Sequence, residues 1–235
     1  IAVWFSCGVA SAVAAKETLK RFPMNTVRVV NIPVAEEDDD NLRFRRDVEE
    51  WLCVPIETVT HSKWPKSSAR EIWEHGKFMS NRFGAECTRT LKKGARYEWE
   101  KIHKPDFHVL GFTADEKARA DRFKLTECDN HLPILVDAGI TKAQCFEIIR
   151  DAGIKRPRIY DLGYPNANCI GCVKATSAVY WHKTRQHFPE CFARRARQSR
   201  ELGVRLVRYH GERIFLDELP AKITDRRKQE DIECG

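Results

Sequence analysis

Short apolar runs alternate with amphipathic stretches along the first two thirds of this chain. The first run, at residues 3–5, stops at Ser6, and a helical spacing of apolar residues then continues to Leu19. Short apolar runs bounded by turn residues predict strands, and a repeat of about 3.6 residues predicts a helix. The later runs that we predict to be strands are residues 27–32, 55–60, 107–111 and 132–135.

Helical patterns fill the gaps between these runs. Ile72 and Trp73 are predicted to face the core, and Thr141 and Gly153 are the predicted cap and stop of a later helix. An acidic run at residues 36–40 precedes the second helix and sits where negative charge complements a helix dipole. After the helix that begins near Ala12, the predicted helices are residues 41–53, 67–78, 87–103 and 141–152.

This order of elements predicts an α/β fold. Strands that alternate with helices form a parallel sheet covered by helices on both faces, and ligands bind beyond the carboxyl ends of its strands. Residues 6–11, 36–40 and 111–122 are expected at that edge. We predict a Rossmann-like domain over residues 1–160 and, packed on it, a cysteine-containing extension over residues 161–235.

The turn after the first strand is a predicted anion site. A strand–turn–helix connection points backbone N–H groups and the positive end of the helix dipole at one place, where a phosphate fits. Gly8 allows close approach of the backbone, and Ser6 and Ser11 add hydroxyl donors. An ordinary turn built from small residues is the alternative interpretation.

Composition adds charge and thiols to this picture. The 235 residues carry a net charge of +7 and nine cysteines, an odd number at irregular spacing. These are features of a cytoplasmic protein whose cysteines are thiols, metal ligands or catalytic groups, and no apolar stretch is long enough to cross a membrane. The positive charge suits a polyanion, either a nucleotide or a nucleic acid.

Two cysteine positions are candidates for chemistry. Cys169 and Cys172 are separated by two residues, so they can hold a metal or a cluster or form a disulfide. Cys87 begins a basic helix, whose dipole and cations favour the thiolate, although a small buried apolar side chain is the plainer interpretation. The predicted cations near it are Arg89, Lys92 and Lys93.

Several segments, in the right order, resemble the phosphoadenylylsulfate (PAPS) reductase family of the PP-loop, HUP-type superfamily. Residues 6–11 stand where PP-loop enzymes carry Ser-Gly-Gly-x-Asp-Ser, and residues 111–122 are similar to the reductases' Gly-x-Arg-x-x-Glu-Ser-x-x-Arg segment. Residues 132–134 are similar to the start of their "PL…W" segment. Residues 160–172 resemble the cluster-bearing branch, and residues 233–235 resemble the Glu-Cys-Gly that carries the nucleophilic cysteine.

The resemblance covers nearly the whole chain and implies a set of roles. It implies an adenine nucleotide, ATP or PAPS, as substrate, and a 4Fe-4S cluster, or zinc in its place, on Cys87, Cys169 and Cys172. It implies a thiol or thioredoxin-like reductant and leaves the oligomeric state open, with a homodimer among the options. The catalytic residues that the resemblance implies are Cys234, Arg119 and Arg122. The nucleotide contacts that it implies are Ser6, Cys7, Gly8, Ser11, Asn31 and Gly111.

The chain also departs from the family's motifs. Cys7 replaces the second glycine of the PP-loop, Ala10 replaces its aspartate, and Thr113 replaces the arginine expected after Gly111. Ala10 cannot help a metal to neutralise pyrophosphate, which argues against adenylation. Cys87-Thr88 replaces the paired cysteines of the cluster-bearing branch. These departures favour a divergent, phage-type branch of the family.

Three functions fit these observations. The first is a sulfonucleotide reductase or related sulfurtransferase that binds an adenine nucleotide. The second is an enzyme that thiolates nucleic acid, tRNA or DNA, held by the basic segment at residues 193–213. The third is a nucleotide-binding protein without catalytic activity. A solvated helix face is the alternative interpretation of the basic segment.

Overall fold

A computed structural model describes residues 1–81 and 84–223 of the protein. Its strands are β1 (Ala2–Phe5), β2 (Arg28–Asn31), β3 (Ile56–Thr58), β4 (Ser80–Asn81), β5 (Gly84–Ala85), β6 (His108–Val109), β7 (Val207–Tyr209) and β8 (Glu212–Ile214). Its α-helices are α1 (Val9–Arg21), α2 (Asp40–Leu52), α3 (Ala69–Gly76), α4 (Ala95–His103), α5 (Lys117–Thr126), α6 (Ile134–Asp137), α7 (Lys142–Asp151), α8 (Arg158–Asp161), α9 (Ala178–His187) and α10 (Pro189–Glu201). A π-helical segment, Thr88–Gly94, leads directly into α4.

The central layer is a four-stranded sheet in the order β3-β2-β1-β6. Every pairing in it is parallel, with Val3 opposite Val29 on one side and Val109 on the other. Parallel neighbours require crossover connections, and the predicted helices supply them. The prediction of an α/β fold with a parallel, Rossmann-like sheet is therefore confirmed at this level.

Both faces of the sheet are covered, because successive side chains of a strand point to opposite sides. Val3 and Phe5 of β1 pack into one apolar cluster with helices α1, α2 and α7. Ala2 and Trp4, which alternate with them along the strand, pack with Trp99 of α4 on the other side. Trp99 also meets Trp4 edge to face, with ring centroids 5.4 Å apart.

The predicted strand at residues 132–135 is wrong. His131 forms one bridge to His108 at the edge of the sheet, and the chain then turns into the short helix α6. The reason is Pro133, which has no N–H to give to a strand ladder and stands at the position that caps this helix. Ile102, although carried by α4, is exposed.

The acidic run acts on α2, as expected, because Asp39 is its N-cap residue, Asp40 lies in its first turn and Asp40 N donates to Asp38 Oδ1 at 2.9 Å. It also acts on a second helix, α3. The carboxylate of Glu36 accepts hydrogen bonds from Ala69 N at 2.8 Å and Arg70 N at 3.1 Å, and so caps the N-terminus of α3. Asp38 is buried and pairs with Arg158 at 2.9 Å. The run therefore ties the loop after β2 to two distant segments.

The segment after residue 160 packs against the first part of the chain. Tyr180, Trp181 and other side chains of α9 share one apolar cluster with Trp73 of α3 and Leu91 of the π-helical segment. No helix within the described ranges combines the length and the apolar character needed to cross a membrane.

Candidate functional site

A cavity of about 190 Å³ opens at the carboxyl edge of the sheet, beside the turn between β1 and α1. Predicted site residues from three separate parts of the chain line it, and this is where a parallel sheet places its ligands. Those lining residues are Ser6, Gly8, Ser11, Gly111, Arg119 and Cys169.

The side chain of Ser11 stabilises the β1–α1 turn through hydrogen bonds to its backbone. Ser6 N donates to Ser11 Oγ at 3.1 Å, and Ser11 Oγ donates to the carbonyl of Gly8 at 2.8 Å. Val9 N, in the first turn of α1, donates to the hydroxyl of Tyr160 at 3.4 Å. The N-terminus of α1 thus points at the cavity from a turn whose shape is fixed by side chains, as an anion site requires.

Two predicted nucleotide contacts, Cys7 and Asn31, lie under the lining of this cavity. Cys7 has a positive φ of 57° and is buried, and burial raises the pKa of its thiol to about 12. Asn31 is also buried, and its amide donates to the carbonyl of Phe5 at 2.8 Å. Both side chains hold the turn and the end of β2 in place, and their contact with a nucleotide stays a prediction.

Gly111 brings the end of the β6 segment against the start of α1. A Cβ at this position would lie 2.7 Å from Ser11 N and 2.9 Å from Ser11 Cα. Real Cβ atoms essentially never come so close, and the obstacles are backbone atoms that cannot rotate away. The absence of a side chain at Gly111 therefore lets the anion turn and the next segment form one wall.

Five basic side chains line the cavity, against the carboxylates of Glu37 and Glu116. Lys92 Nζ lies 2.8 Å from Glu37, and Arg119 lies 2.6 Å from Glu116. Thr113, which replaces the family's arginine, is buried, and its N–H and hydroxyl both lie 3.3 Å from Glu116. Thr113 therefore orients the carboxylate that orients Arg119. The five basic residues are Lys92, Lys93, Arg96, Arg119 and Lys142.

Part of the lining is apolar, and a cation borders it, because the guanidinium of Arg119 lies 4.9 Å from the ring centroid of Phe112. Trp4, Val30, Ile32 and Phe112 contribute to it. The indole N–H of Trp4 donates to His108 Nδ1 at 3.1 Å, which fixes the ring against the end of the sheet. One cavity thus combines a flat apolar surface, a cationic surface and a helix N-terminus, which suits a ligand with a ring at one end and negative charge at the other.

The loop that carries the CxxC motif forms the remaining wall. Asn166, Asn168 and Cys169 line the cavity, and Lys142 Nζ donates to Asn166 Oδ1 at 2.7 Å. The hydroxyl of Tyr180 accepts from Cys172 N at 2.8 Å and donates to the carbonyl of Cys169 at 3.3 Å. The backbone of both cysteines therefore bonds to one buried hydroxyl, and the first of them lines the cavity.

Cys87, Cys169 and Cys172 pack in or against the same apolar cluster. The ligation of one metal or cluster by their three sulfurs stays a prediction. The carboxylates of Glu86, Glu37 and Glu127 pair with the three cations expected to favour a thiolate at Cys87. Those carboxylates offset part of the positive potential that the sequence suggested. Cys234 lies outside the described residues.

Two further residues lie at the CxxC loop, although no sequence pattern placed them there. Cys191 Sγ lies 2.9 Å from where a Cβ on Gly171 would stand, and 3.6 Å from the carbonyl of Ile170. The guanidinium of Arg195 is buried, lies 4.1 Å from the ring centroid of Trp73 and donates to the carbonyl of Gly171 at 3.1 Å. In the part of the chain that the structure describes, no group of three or more His, Cys, Asp or Glu side chains is placed to hold a metal ion.

The basic segment at residues 193–213 is not a single solvated face. Arg195 is buried, and Arg200 pairs with Asp217 at 3.0 Å and with Glu218 at 2.8 Å. Arg213 donates to the carbonyl of Leu206. Arg200 holds α10 to the segment that follows it, whereas Arg194, Arg197, Arg205 and Arg208 are exposed. The nucleic-acid contact of this segment stays a prediction.

The sequence also missed several lining residues. Lys142 and Arg96 lie on helices whose charged residues looked like solvated faces, and Asn166 lies in a loop with no recognisable spacing. The position of Lys142 directly after a capping threonine was the one available signal, because a helix N-terminus lies near the ligand edge of such a sheet.

No protein-family model matches this chain, and a search of curated proteins also gives no match.

Proposed function

We propose that this protein is an adenine-nucleotide-binding enzyme of sulfur metabolism with a HUP-type fold, either an oxidoreductase or a sulfurtransferase. One observation carries the proposal. The same cavity is lined by the β1–α1 anion turn, by five basic side chains, by an apolar surface with Trp4 and by Cys169. A ligand that fills it has a ring, negative charge and a reacting group near a thiol.

The arrangement divides the ligand into parts. The N-terminus of α1 and the turn at Gly8 receive a phosphate, because unsatisfied N–H groups and the helix dipole favour an anion there. Arg119 and Lys142 neutralise the remaining charge from the opposite side. The apolar surface near Val30 and Ile32 at the end of β2 receives the adenine. Water is displaced from that surface when the ring binds.

The donor set fits an iron–sulfur cluster by its chemistry. Thiolates are soft ligands that favour iron–sulfur clusters over hard cations, and the CxxC loop lies in an apolar surround. Cys169, Cys172 and Cys87 would hold the cluster, with Cys234 as a further candidate ligand. When bound, the cluster would supply electrons or a site for sulfide. Arg195 would then place a buried positive charge beside an anionic group.

Two chemistries remain for the sulfur. In the first, the thiolate of Cys234 attacks the sulfur of a nucleotide-bound sulfonate, the S–O bond to the phosphate breaks, and the nucleotide phosphate leaves. The enzyme then carries a thiosulfonate, which a thiol reductant releases as sulfite while the two thiols become a disulfide. In the second, sulfide attacks an electrophilic carbon of the acceptor, a C–S bond forms, and the bond from that carbon to its oxygen leaving group breaks. Arg119 and Arg122 would stabilise the developing negative charge in either case.

Calorimetric titration with adenosine, AMP, ATP and PAPS tests the nucleotide proposal. We expect AMP to bind at least tenfold more tightly than adenosine, because only AMP engages the anion turn. Arg119→Met should remove most of that advantage. Lys117→Met is the matched control, because Lys117 is on the same helix, is 66% exposed and pairs with Asp121. Equal affinity for adenosine and AMP in the wild type would reject the proposal.

Anaerobic purification with analysis of iron and sulfide tests the thiol proposal. Cys169→Ser and Cys172→Ser should each lose iron, and Cys53→Ser, at an exposed position on the far end of α2, should not. Cys234→Ser should lose turnover and keep iron if Cys234 is the nucleophile, and lose iron if it is a ligand. Full iron and full sulfur-transfer activity in Cys234→Ser would remove that residue from the proposal.

A further inference from the structure

A second cavity, of about 330 Å³, adjoins the nucleotide cavity and shares Lys93, Phe112 and Arg119 with it. We infer that this basic groove, lined by Arg89, Lys93, Arg119, Arg122 and Lys174, binds the phosphate backbone of a single-stranded nucleic acid. The strand's role as the macromolecular substrate rests on the proposed function. The binding of the strand does not.

The first support is charge. Five basic side chains line the groove against one carboxylate, Glu127, and Lys93 lies 2.5 Å from that carboxylate. Arg89 is 77% exposed and pairs with Glu86, and Arg119 pairs with Glu116. Both of these carboxylates lie outside the lining, and the five cations still exceed the three carboxylates. A concave surface with this excess of positive charge concentrates polyanions from solution.

The second support is the arrangement of the cations. Arg119, Arg122 and Thr126 lie on one face of α5, at spacings of three and four residues. Arg89 and Lys93 lie four residues apart in the π-helical segment across the groove. Two rows of cations suit a ligand whose negative charge repeats along its length, whereas a single small anion would need them to converge at one point.

The third support is the donor chemistry. Guanidinium groups bind phosphate oxygens through two parallel N–H groups, and threonine hydroxyls commonly donate to the nucleic-acid backbone. Thr88 lines the groove beside the arginines, whereas the hydroxyl of Thr126 already donates to the carbonyl of Arg122 at 2.9 Å. Groups of this kind position a strand without reading its sequence. The rings of Phe112 and Phe123 in the lining offer stacking surfaces to unpaired bases, which favours a single strand over a duplex.

The fourth support is location. Thr88 follows Cys87 directly, and Lys174 is two residues beyond Cys172, so the groove runs past both cysteine segments. At its other end, Arg119 and Phe112 lead into the nucleotide cavity. A strand in the groove therefore lies beside both the cysteine segments and the first cavity, where a substrate of sulfur transfer would have to be.

The test is fluorescence anisotropy of a labelled 12-nucleotide single strand of mixed sequence, as RNA and as DNA, on the full-length protein. About three phosphate contacts predict that affinity falls about 20-fold between 50 and 200 mM salt. The double variant Arg89→Glu/Lys174→Glu should bind at least tenfold more weakly at 50 mM salt, with a slope smaller by about 1.4. Lys20→Glu/Arg150→Glu makes the same charge change at exposed positions outside both cavities and should keep the wild-type slope.

Three results would overturn the inference. They are no binding of either strand by the wild type, an equal loss in both double variants, and equal competition by a duplex or by polyglutamate. Thermal unfolding of each variant shows whether a loss reflects misfolding, and Arg89→Gln/Lys174→Gln repeats the test with a smaller change. Titration of the wild type with AMP runs in parallel. If AMP binds and the strand does not, only the groove inference fails, and the reverse result rejects the proposed nucleotide site alone.

Discussion

Replacing Gly111 by alanine adds one methyl group at the closest backbone approach in the candidate site. The added Cβ would lie 2.7 Å from Ser11 N, 2.9 Å from Ser11 Cα and 3.0 Å from the carbonyl carbon of Ala10. Ordinary contact begins at 3.4 Å. The N-terminus of α1 must therefore move by about 0.7 Å, because backbone atoms cannot turn aside as a flexible side chain can.

Overpacking of this kind costs about 1–3 kcal/mol. For a chain of this size, about 2–4 °C in Tm accompanies each kcal/mol, so Gly111→Ala should lower Tm by about 2–12 °C. The displacement also moves the N–H groups of the anion turn. We expect the affinity for AMP to fall at least tenfold, or about 1.4 kcal/mol, while the affinity for adenosine changes less.

Differential scanning calorimetry and titration calorimetry measure the two effects. Gly76→Ala is the matched control, because a Cβ at Gly76 would meet nothing within 4 Å and the residue ends helix α3. That variant should be neutral, or more stable by up to about 1 kcal/mol. A Gly111→Ala protein with wild-type Tm and wild-type AMP affinity would refute the argument that this close approach shapes the site.

Three further predictions concern the groups that hold the fold around the site. Tyr160→Phe should lower the unfolding free energy by about 1 kcal/mol in chemical denaturation, because Val9 N loses its acceptor, and an unchanged midpoint would contradict this. Burial lowers the pKa of His131 from 6.5 to about 4, so its neutral form stabilises the fold above pH 6.5, and that contribution is lost as the pH falls toward 4. His131→Leu should therefore lose less stability than the wild type over that interval, by up to about 1.4 kcal/mol per pH unit. Burial also lowers the pKa of His108 to about 4, so the variant still loses the stability that depends on neutral His108. Parallel pH profiles of the two proteins would contradict this. Glu36→Gln should cost about 1 kcal/mol by weakening the cap on α3, with exposed Glu50→Gln as the comparison, and equal stability of the two variants would count against the cap.

The parallel sheet and its ligand edge could be predicted because they depend on local patterns. The apolar run before Ser6, the runs at β2 and β3 and the helical repeats between them each carry their own signal. Once these elements alternate, the parallel sheet follows from the connections, and the ligand edge follows from the sheet. The prediction of a strand at residues 132–135 was wrong, because four apolar residues are compatible with either a strand or a short helix. Pro133 favours the helix, since it cannot donate to a strand ladder and stands at the N-cap of α6.

The contacts that complete the site could not be predicted, because they join residues far apart in the sequence. The capping of α3 by Glu36 and the donation from Lys142 to Asn166 leave no periodic trace in the chain. Arg195 is an arginine like its exposed neighbours Arg194 and Arg197 on α10, but it is buried against Trp73. Charge in a sequence predicts exposure on average, and the exceptions are set by packing that one sequence does not reveal.

The CxxC loop is tethered to the segments around the parallel sheet as well as to α9 and α10. Ile170 N donates to the carbonyl of Glu36 at 2.8 Å, in the loop after β2, while Lys142 at the start of α7 holds Asn166. The first contact lies one residue beyond Cys169, and the second lies three residues before it. The segments that line the cavity at the carboxyl edge of the sheet therefore also hold Cys169 in its wall. A ligand that orders the cavity should accordingly slow amide exchange in the CxxC loop, because the same tethers hold both.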